Sequence, residues 1–148
     1  MKKKLILTIA LFTISLITFG QVTKITGNFY SVDEDGSKKS LVKIYKAANG
    51  HYEGVILKIF TGPQDKKCEK CTGENKDKPI VGMKIISNLK ADGKKLTGGT
   101  ILDPATGKVY SCSLSFEDEK NRLKVRGSLD KSGIIGRTQY WLPTTDVN

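Results

Sequence analysis

The stretch VYSCSLSF, residues 109–116, decides the fold of this 148-residue chain, because its side chains alternate in character from one residue to the next. One face carries Tyr110, Cys112, Leu114 and Phe116, and the other carries Ser111, Ser113 and Ser115. Successive side chains of a strand point to opposite faces. An apolar face that backs a serine face therefore predicts a half-buried antiparallel strand.

A tight turn leads into this strand. The run KLTGGTIL (95–102) predicts a preceding strand, and DPATGK (103–108) joins the two. Pro104 suits the second position of a type I turn, and Gly107 suits the left-handed position that ends it. Asp103 could be a carboxylate at a barrel mouth, but we expect it to accept hydrogen bonds from the amides of its own turn.

The segment that follows repeats the alternation. EDEKN turns the chain, and RLKVRGSL (122–129) predicts the next strand. Its expected inward side chains are Leu123, Val125 and Leu129, and its outward ones are Lys124 and Arg126. The pattern predicts that these neighbouring strands cover one shared core.

Further strands are predicted on both sides. They are ITGNFYSV (25–32), SLVKIYKA (40–47), HYEGVILKIF (51–60) and IIGRTQYWL (134–142), with IVGMKIIS (80–87) as a short strand or a helical turn. The pair Asn49-Gly50 between two β-rich runs is a strong hairpin pattern. No long stripe of helical period occurs, and glycines recur inside the strands, which favours a sheet that coils and closes. We predict an all-β fold, a small antiparallel up-and-down β-barrel of seven to eight strands.

The first twenty residues have the character of a leader. Three lysines at positions 2–4 precede an apolar run over residues 5–19, and small residues follow. This pattern predicts a secretory signal peptide over residues 1–20 and a single β-barrel domain over residues 21–148. The run is short for a membrane span, although an uncleaved anchor is the alternative. No cysteine follows it, so we expect an exported protein, periplasmic or secreted and not lipoprotein-anchored, with no transmembrane segment after cleavage.

The charge balance restricts the partners. The leader holds three of the 25 basic residues, which leaves 22 against 15 acidic ones. Only three of them are arginines, and the lysines are interleaved with acidic residues. Phosphate and base readout favours arginine, so nucleic acid is not an expected partner. The excess of lysine indicates a solvated surface or an attraction to an anionic envelope surface.

These pieces, taken together and in order, resemble the bacterial domain-of-unknown-function family 2147, whose members are small exported proteins. The matching pieces are GNF (27–29), HYEGVI (51–56), KPIVGMKI (78–85), GGTILDPATGKVY (98–110), LKVRG (123–127) and GRTQYW (136–141). The resemblance implies a calycin-like, lipocalin-like barrel and no settled activity. In lipocalins a tryptophan on the first strand packs against an arginine near the end. Phe29 and Arg137 stand at the corresponding places, and closure of the barrel between its first and last strands predicts that they lie near each other.

The pair Cys68 and Cys71 lies in a long polar segment, TGPQDKKCEKCTGENKDKP (61–79). Its spacing suits a redox motif, half of a zinc site or a short disulfide. No helix-forming run follows the pair, and only Cys112 and His51 remain as further soft ligands, with nothing to bring them together. We predict a structural disulfide between Cys68 and Cys71, a buried reduced Cys112, and no metal or other cofactor.

Candidate ligand-binding residues lie on the last strand. Arg137, Gln139 and Trp141 share one face, and we add Tyr110 and Phe29 to this set. Polar groups that converge in an apolar cup orient small ligands, whereas a cluster that merely closes the barrel is the alternative. His51 has no serine or aspartate tied to it by spacing, and Glu53 has no visible partner, so no catalytic residue is proposed.

Three functions remain open. The first is non-catalytic binding of a small or amphipathic ligand in the barrel. The second is an envelope interaction protein that acts through its basic surface and Cys loop. The third is a thiol-disulfide or metal-dependent enzyme centred on Cys68 and Cys71.

Overall fold

The computed structural model describes residues 20–147. The expected signal peptide lies outside the described residues except for Gly20, so its cleavage stays a prediction.

Eight strands follow a single-turn helix, α1 (Gly20–Thr23). The strands are β1 (Gly27–Val32), β2 (Lys38–Lys46), β3 (Tyr52–Ile59), β4 (Lys84–Asp92), β5 (Lys95–Asp103), β6 (Lys108–Glu117), β7 (Arg122–Ser128) and β8 (Gly136–Thr144). Short 3-10 helices lie at Gly73–Asn75 and Asp118–Lys120. None of the helices within residues 20–147 has the length and apolar character needed to cross a bilayer.

The strands form a closed barrel in chain order, with every neighbouring pair antiparallel. Closure is made by β1 and β8, which pair Asn28 with Thr144 and Tyr30 with Leu142. The predicted up-and-down barrel is therefore confirmed, with eight strands. The undecided segment 80–87 divides at Met83, because residues before it form a turn and β4 begins at Lys84.

The alternation of strand direction gives the barrel two different ends. The connections after β1, β3, β5 and β7 gather at one end, which we call the open end. Helix α1 and the connections after β2, β4 and β6 gather at the other, which we call the closed end. Buried side chains fill the barrel towards the closed end: Phe29, Leu89, Leu96, Leu114 and Leu123.

Gly99 shows why one of the strand glycines is needed. A β-carbon at this position would lie 2.2 Å from the carbonyl oxygen of Ser87 on β4. Backbone occupies that space, so no side chain fits without moving a strand. The glycine lets β5 approach β4 closely where the sheet bends around the core.

Two expectations about side-chain positions need correction. Leu129 lies one residue beyond the end of β7 and is 72% exposed, because the strand has already left the core at the open end. Arg137 does not lie near Phe29. Phe29 pairs with Pro143, six residues further along β8 than Arg137, which is about 20 Å at the rise of a strand.

Candidate functional site

A cavity of about 720 Å³ occupies the barrel at its open end. Small-ligand pockets commonly measure roughly 300 to 1,000 Å³. The cavity exists because the large buried side chains fill only the part of the barrel near the closed end. The part of the barrel near the open end is therefore hollow.

The wall of this cavity is mainly apolar. Aliphatic side chains from four strands and two connections line it: Ile56, Ile59, Ile80, Ile85, Ile101, Leu102, Val125, Leu129 and Ile135. Most of these side chains are shielded from bulk water, whereas Leu129 and Ile135 stand exposed at the rim. Such a surface favours the apolar part of a ligand, because contact removes hydrocarbon from water on both sides.

Strand β8 places a graded row of polar groups on the cavity wall. Arg137, Gln139 and Trp141 all line the cavity, with Arg137 exposed at the rim and Trp141 buried at the far end of the row. The indole Nε1 of Trp141 donates a hydrogen bond to Oε1 of Gln139 at 3.1 Å. The amide nitrogen of Gln139 takes no part in this bond.

Tyr110 lines the same cavity from β6, which is separated from β8 by β7. Four of the five residues predicted as ligand-binding candidates are thus brought together. Their placement is a property of the fold, and ligand binding by them stays a prediction.

Phe29 is the predicted site residue that the structure separates from the others. Its side chain is buried towards the closed end and does not line the cavity. The arginine that stacks on an aromatic ring is Arg122, whose guanidinium carbon lies 3.5 Å from the ring centre of Tyr140. Arg137 instead forms an exposed ion pair with Glu34, with 3.1 Å between Nη2 and Oε1.

Sequence reasoning missed a serine pair at the cavity. Ser31 on β1 and Ser40 on β2 are directly opposite in the register, and both are buried. Their hydroxyl oxygens lie 2.6 Å apart, so one hydroxyl donates a hydrogen bond to the other inside an apolar wall. The alternation of β1 could have indicated that Ser31 faces inward, because it lies two residues after Phe29 and so on the same side of the strand.

Lysines predominate at the rim of the cavity. Five basic residues line it against two acidic ones; they are Lys39, Lys66, Lys67, Lys70 and Arg137 against Glu69 and Asp103. Lys39 pairs with Asp33 at 3.6 Å. Within residues 20–147, neither Lys67 nor Lys70 has a carboxylate within ion-pair distance, so their charges are uncompensated at close range.

Three of these lysines belong to the segment that joins β3 to β4, residues 60–83, which we call the Cys loop. Cys68 and Cys71 form a disulfide within it, as predicted, and both are buried. Backbone bonds link Cys68 N to Lys78 O at 2.9 Å and Asp77 N to Cys68 O at 3.1 Å. The loop is therefore a folded element although its sequence has no period.

The predicted turn of residues 103–108 packs against the Cys loop. Gly107 has a φ of 72°, and a β-carbon there would lie 1.9 Å from the carbonyl oxygen of Lys70. Sγ of Cys68 lies 3.4 Å from the carbonyl oxygen of Pro104. The turn and the disulfide are packed against each other, which fixes the position of Lys70 at the rim.

Asp103 behaves as a turn residue. Its carboxylate accepts hydrogen bonds from the Ala105 amide at 3.0 Å and the Thr106 hydroxyl at 2.9 Å. The amide of Gly107 donates to its backbone oxygen at 2.8 Å. Both carboxylate oxygens are therefore engaged by the turn, although the residue also lines the cavity.

Two further features bear on a thiol-dependent or metal-dependent enzyme: the state of the free cysteine and the grouping of metal-ligating side chains. Cys112 is free and buried on β6, and burial raises the pKa of its thiol to about 12. It is therefore protonated at neutral pH and a poor nucleophile. Among the described residues no group of three or more His, Cys, Asp or Glu side chains is placed to hold a metal ion.

A polar cluster on the outer face of the barrel was also missed. Glu53, only 8% exposed, accepts hydrogen bonds from Lys84 Nζ and from the hydroxyl of Tyr45, both at 2.9 Å. The bonds from Lys84 and then Tyr45 lower the pKa of the Glu53 carboxyl. Nδ1 of nearby His51 is buried and has no hydrogen-bond partner among the described residues. The hairpin at Asn49-Gly50 could have indicated Tyr45, which stands opposite Glu53.

Comparison with known proteins agrees with this architecture. The profile of a family of uncharacterized proteins conserved in bacteria, DUF2147, matches residues 27–142. The chain belongs to the DUF2147 family. Within the solved structures, this DUF2147 protein is similar to protein HP1028 from the human pathogen Helicobacter pylori, which is described as belonging to the lipocalin family. That match has a TM-score of 0.71 and 23% identity, and it covers 82% of this chain and 83% of the other.

No curated protein matches the sequence. At 23% identity, the likeness to HP1028 shows that the DUF2147 barrel is lipocalin-like in fold. The matched residues span all eight strands apart from the last two residues of β8.

Proposed function

We propose that this protein is an exported, non-catalytic binding protein that holds a small or amphipathic molecule inside its barrel. The observation that carries the proposal is the cavity of about 720 Å³, whose apolar wall is interrupted by Tyr110, Gln139 and Trp141. A few polar groups that converge within an apolar cup fix the orientation of a ligand. The lipocalin-like fold is compatible with ligand binding inside the barrel, but a shared fold does not by itself establish a shared function.

Two features support export. The leader over residues 1–20 has a positive start, an apolar run and small residues at its end. The disulfide of Cys68 and Cys71 suits an oxidising compartment. We expect the mature chain isolated from its host to begin at Gln21, and mass spectrometry of that chain checks this. Recovery of a chain with an intact Met1 would contradict the proposal of cleavage.

Binding can be tested with the neutral fluorescent probe N-phenyl-1-naphthylamine. We expect its emission to rise with a saturable, single-site dependence on protein, and Trp141 emission to change in parallel because this residue lines the cavity. Ile101→Phe adds volume inside the cavity, since Ile101 lines it. This variant should weaken binding at least about tenfold, which corresponds to 1.4 kcal/mol.

The matched control is Val109→Phe. Val109 is 60% exposed on the neighbouring strand and does not line the cavity, so the same kind of bulk is added outside. Its probe affinity should equal that of the wild type. If the probe does not bind, or if both variants bind as the wild type does, the cavity is not the binding site and the proposal fails.

A second candidate function is contact with an anionic envelope surface. Five of the seven exposed large hydrophobic side chains among the described residues lie at the open end; they are Phe60, Val109, Leu129, Ile134 and Ile135. Three of them, Leu129, Ile134 and Ile135, lie on the β7–β8 connection, which also carries Lys131. Aliphatic side chains beside lysine favour the boundary of an anionic bilayer.

Vesicle flotation distinguishes this candidate. We expect binding to phosphatidylglycerol vesicles, weaker binding to phosphatidylcholine vesicles, and loss of binding in Ile134→Asp. Leu142→Asp, an exposed aliphatic on β8 away from the open end, is the control and should bind normally. Equal loss in both variants, or no binding to either vesicle, would rule this contact out.

A further inference from the structure

We infer that the ligand of the barrel is a single-chain amphiphile with an anionic head group, held at the rim by Lys67, Lys70 and Arg137. This inference rests on the proposed function, since it names the chemical class of the molecule in the same cavity. It comes from the distribution of charge around the cavity, which differs between the rim and the wall.

The polarity of the lining changes along the cavity. The deeper wall is built from side chains such as Ile56, Ile85 and Val125 together with Trp141. Four of the five basic residues at the cavity, Lys66, Lys67, Lys70 and Arg137, are exposed and Lys39 is partly exposed, so they lie where water has access. A chain of methylene groups fits the wall, and a charged group fits only the rim.

The uncompensated charge at the cavity is positive. The two acidic lining residues do not cancel the five basic ones. Asp103 has both carboxylate oxygens engaged by its own turn. Lys67 and Lys70 have no carboxylate within 4 Å among residues 20–147, and the guanidinium of Arg137 keeps further donors beside its bond to Glu34. Lysines at the mouth of an apolar cleft raise the local concentration of anions.

The backbone at Lys67 and Lys70 is held in place by neighbouring segments. Lys67 pairs with Pro79 in an isolated β-bridge, and the Lys70 backbone rests against Gly107. Cys68 of the disulfide lies between them in the chain, and Cys71 follows Lys70 directly. Their backbone is therefore ordered before a ligand arrives, which reduces the entropy that binding must overcome.

Binding of an anionic head group at the rim has a low desolvation cost. A head group at the rim keeps part of its hydration, so it gains Coulombic attraction without the full penalty of burying a charge. A cationic head group would meet repulsion from the same lysines. A neutral head group would gain neither effect, so its affinity should reflect the chain alone.

The test is displacement of N-phenyl-1-naphthylamine by four amphiphiles with the same twelve-carbon chain. They are dodecanoate, dodecyl phosphate, dodecanol and dodecyltrimethylammonium. We expect both anions to displace the probe at concentrations about tenfold lower than dodecanol, and the cation to be weakest. The ratio of dodecanoate to dodecyl phosphate distinguishes a carboxylate head from a phosphate head. The preference should shrink as salt is raised, because the rim is exposed.

The variant that locates the effect is Lys67→Gln/Lys70→Gln. It should reduce the preference for anions over dodecanol to less than about threefold and leave dodecanol affinity unchanged. Lys94→Gln/Lys95→Gln removes the same charge at the closed end, from the exposed Lys94 of the β4–β5 connection and the exposed first residue of β5, and should leave the preference intact. Melting temperatures of both variants check that the fold is retained.

The outcomes separate the two proposals. If neither the probe nor any amphiphile binds, the proposed function itself fails. If dodecanol and dodecanoate bind equally well in the wild type, the cavity binds amphiphiles but the inference about the head group is wrong. If the closed-end variant loses the preference as much as the rim variant does, the preference reflects net charge and the assignment to Lys67 and Lys70 is wrong.

Discussion

Trp141 donates its indole N–H to the side-chain oxygen of Gln139, 3.1 Å away and two residues earlier on the same face of β8. Both side chains line the cavity. The bond holds the side chains of Gln139 and Trp141 in one arrangement on the cavity wall. Breaking it would leave the buried indole N–H without a partner, which is costly.

The first prediction concerns this bond. Trp141 is 2% exposed, so its emission should lie at shorter wavelength than that of indole in water. Gln139→Leu removes the acceptor and should lower the free energy of unfolding by about 1–3 kcal/mol. It should also shift the emission. Thr138→Val, on the same strand but the opposite phase, removes an acceptor of Arg126 instead and is the control for the emission, which it should leave unchanged. Water-like emission from the wild type would contradict the buried position of the indole.

The second prediction concerns Gly107. Gly107→Ala must place a β-carbon against the carbonyl oxygen of Lys70, in addition to adopting a positive φ. Gly93→Ala has a similar φ, 58°, but no atom lies within 4 Å of its new β-carbon. The control should lose about 1–2 kcal/mol of stability for the backbone conformation alone. Gly107→Ala should lose about 3 kcal/mol or more, measured by urea unfolding. Equal losses would show that the turn does not support the Cys loop.

The third prediction concerns the disulfide. Replacing Cys68 and Cys71 together by serine opens a very short ring, so the global free energy of unfolding should fall by no more than about 2 kcal/mol. The amides of the Cys loop should exchange with solvent much faster, including that of Asp77, which donates to Cys68. Cys112→Ala tests the core instead and should leave exchange in the loop unchanged. Peptide mapping without reduction checks the pairing; a crosslink from Cys112 to either partner would refute it.

The fourth prediction concerns pH. Hydrogen bonds from Lys84 and Tyr45 lower the pKa of Glu53 below its ordinary value of 4.5. A carboxyl with a lowered folded-state pKa stabilises the fold above its unfolded pKa, and this contribution is lost as pH falls through the folded value. The wild type should therefore lose stability below about pH 4.5.

Glu53→Gln separates this contribution from the rest of the acid response. It should be less stable than the wild type at neutral pH, and the difference should narrow in acid. Glu119→Gln, an exposed carboxylate in the β6–β7 connection, is the matched control. Chemical unfolding at neutral pH and in acid measures the difference. A gap that stays constant with pH would show that the Lys84 bond does not stabilise the folded carboxylate.

The fold could be predicted because its rules are local. Alternation in residues 109–116 identifies β6, and the Asn49-Gly50 pair identifies the β2–β3 hairpin. Gly107 has the left-handed conformation that its turn requires. Each of these features depends on neighbours within a few residues, so a single sequence contains the information.

The site was less predictable because it depends on register around the whole barrel. Sequence placed Arg137, Gln139 and Trp141 on one face, which is correct. It did not show where that face lies relative to β1, so the proximity of Arg137 and Phe29 was wrong. The ordered form of the Cys loop and the contact of Lys84 with Glu53 depend on how a long aperiodic segment returns to the sheet.

The pairing of Asn28 with Thr144 has a consequence for rearranging the chain. The first and last strands meet at the closed end, where the side chain of Asn28 also donates a hydrogen bond to the carbonyl of Asp146 at 2.6 Å. A short peptide could join residue 147 to residue 24, and new termini could be opened between Asn49 and Gly50, also at the closed end. Such a circular permutant would keep every strand neighbour and leave the rim untouched. It would present both new ends away from any molecule that approaches the cup, so either end could anchor the protein to a sensor surface.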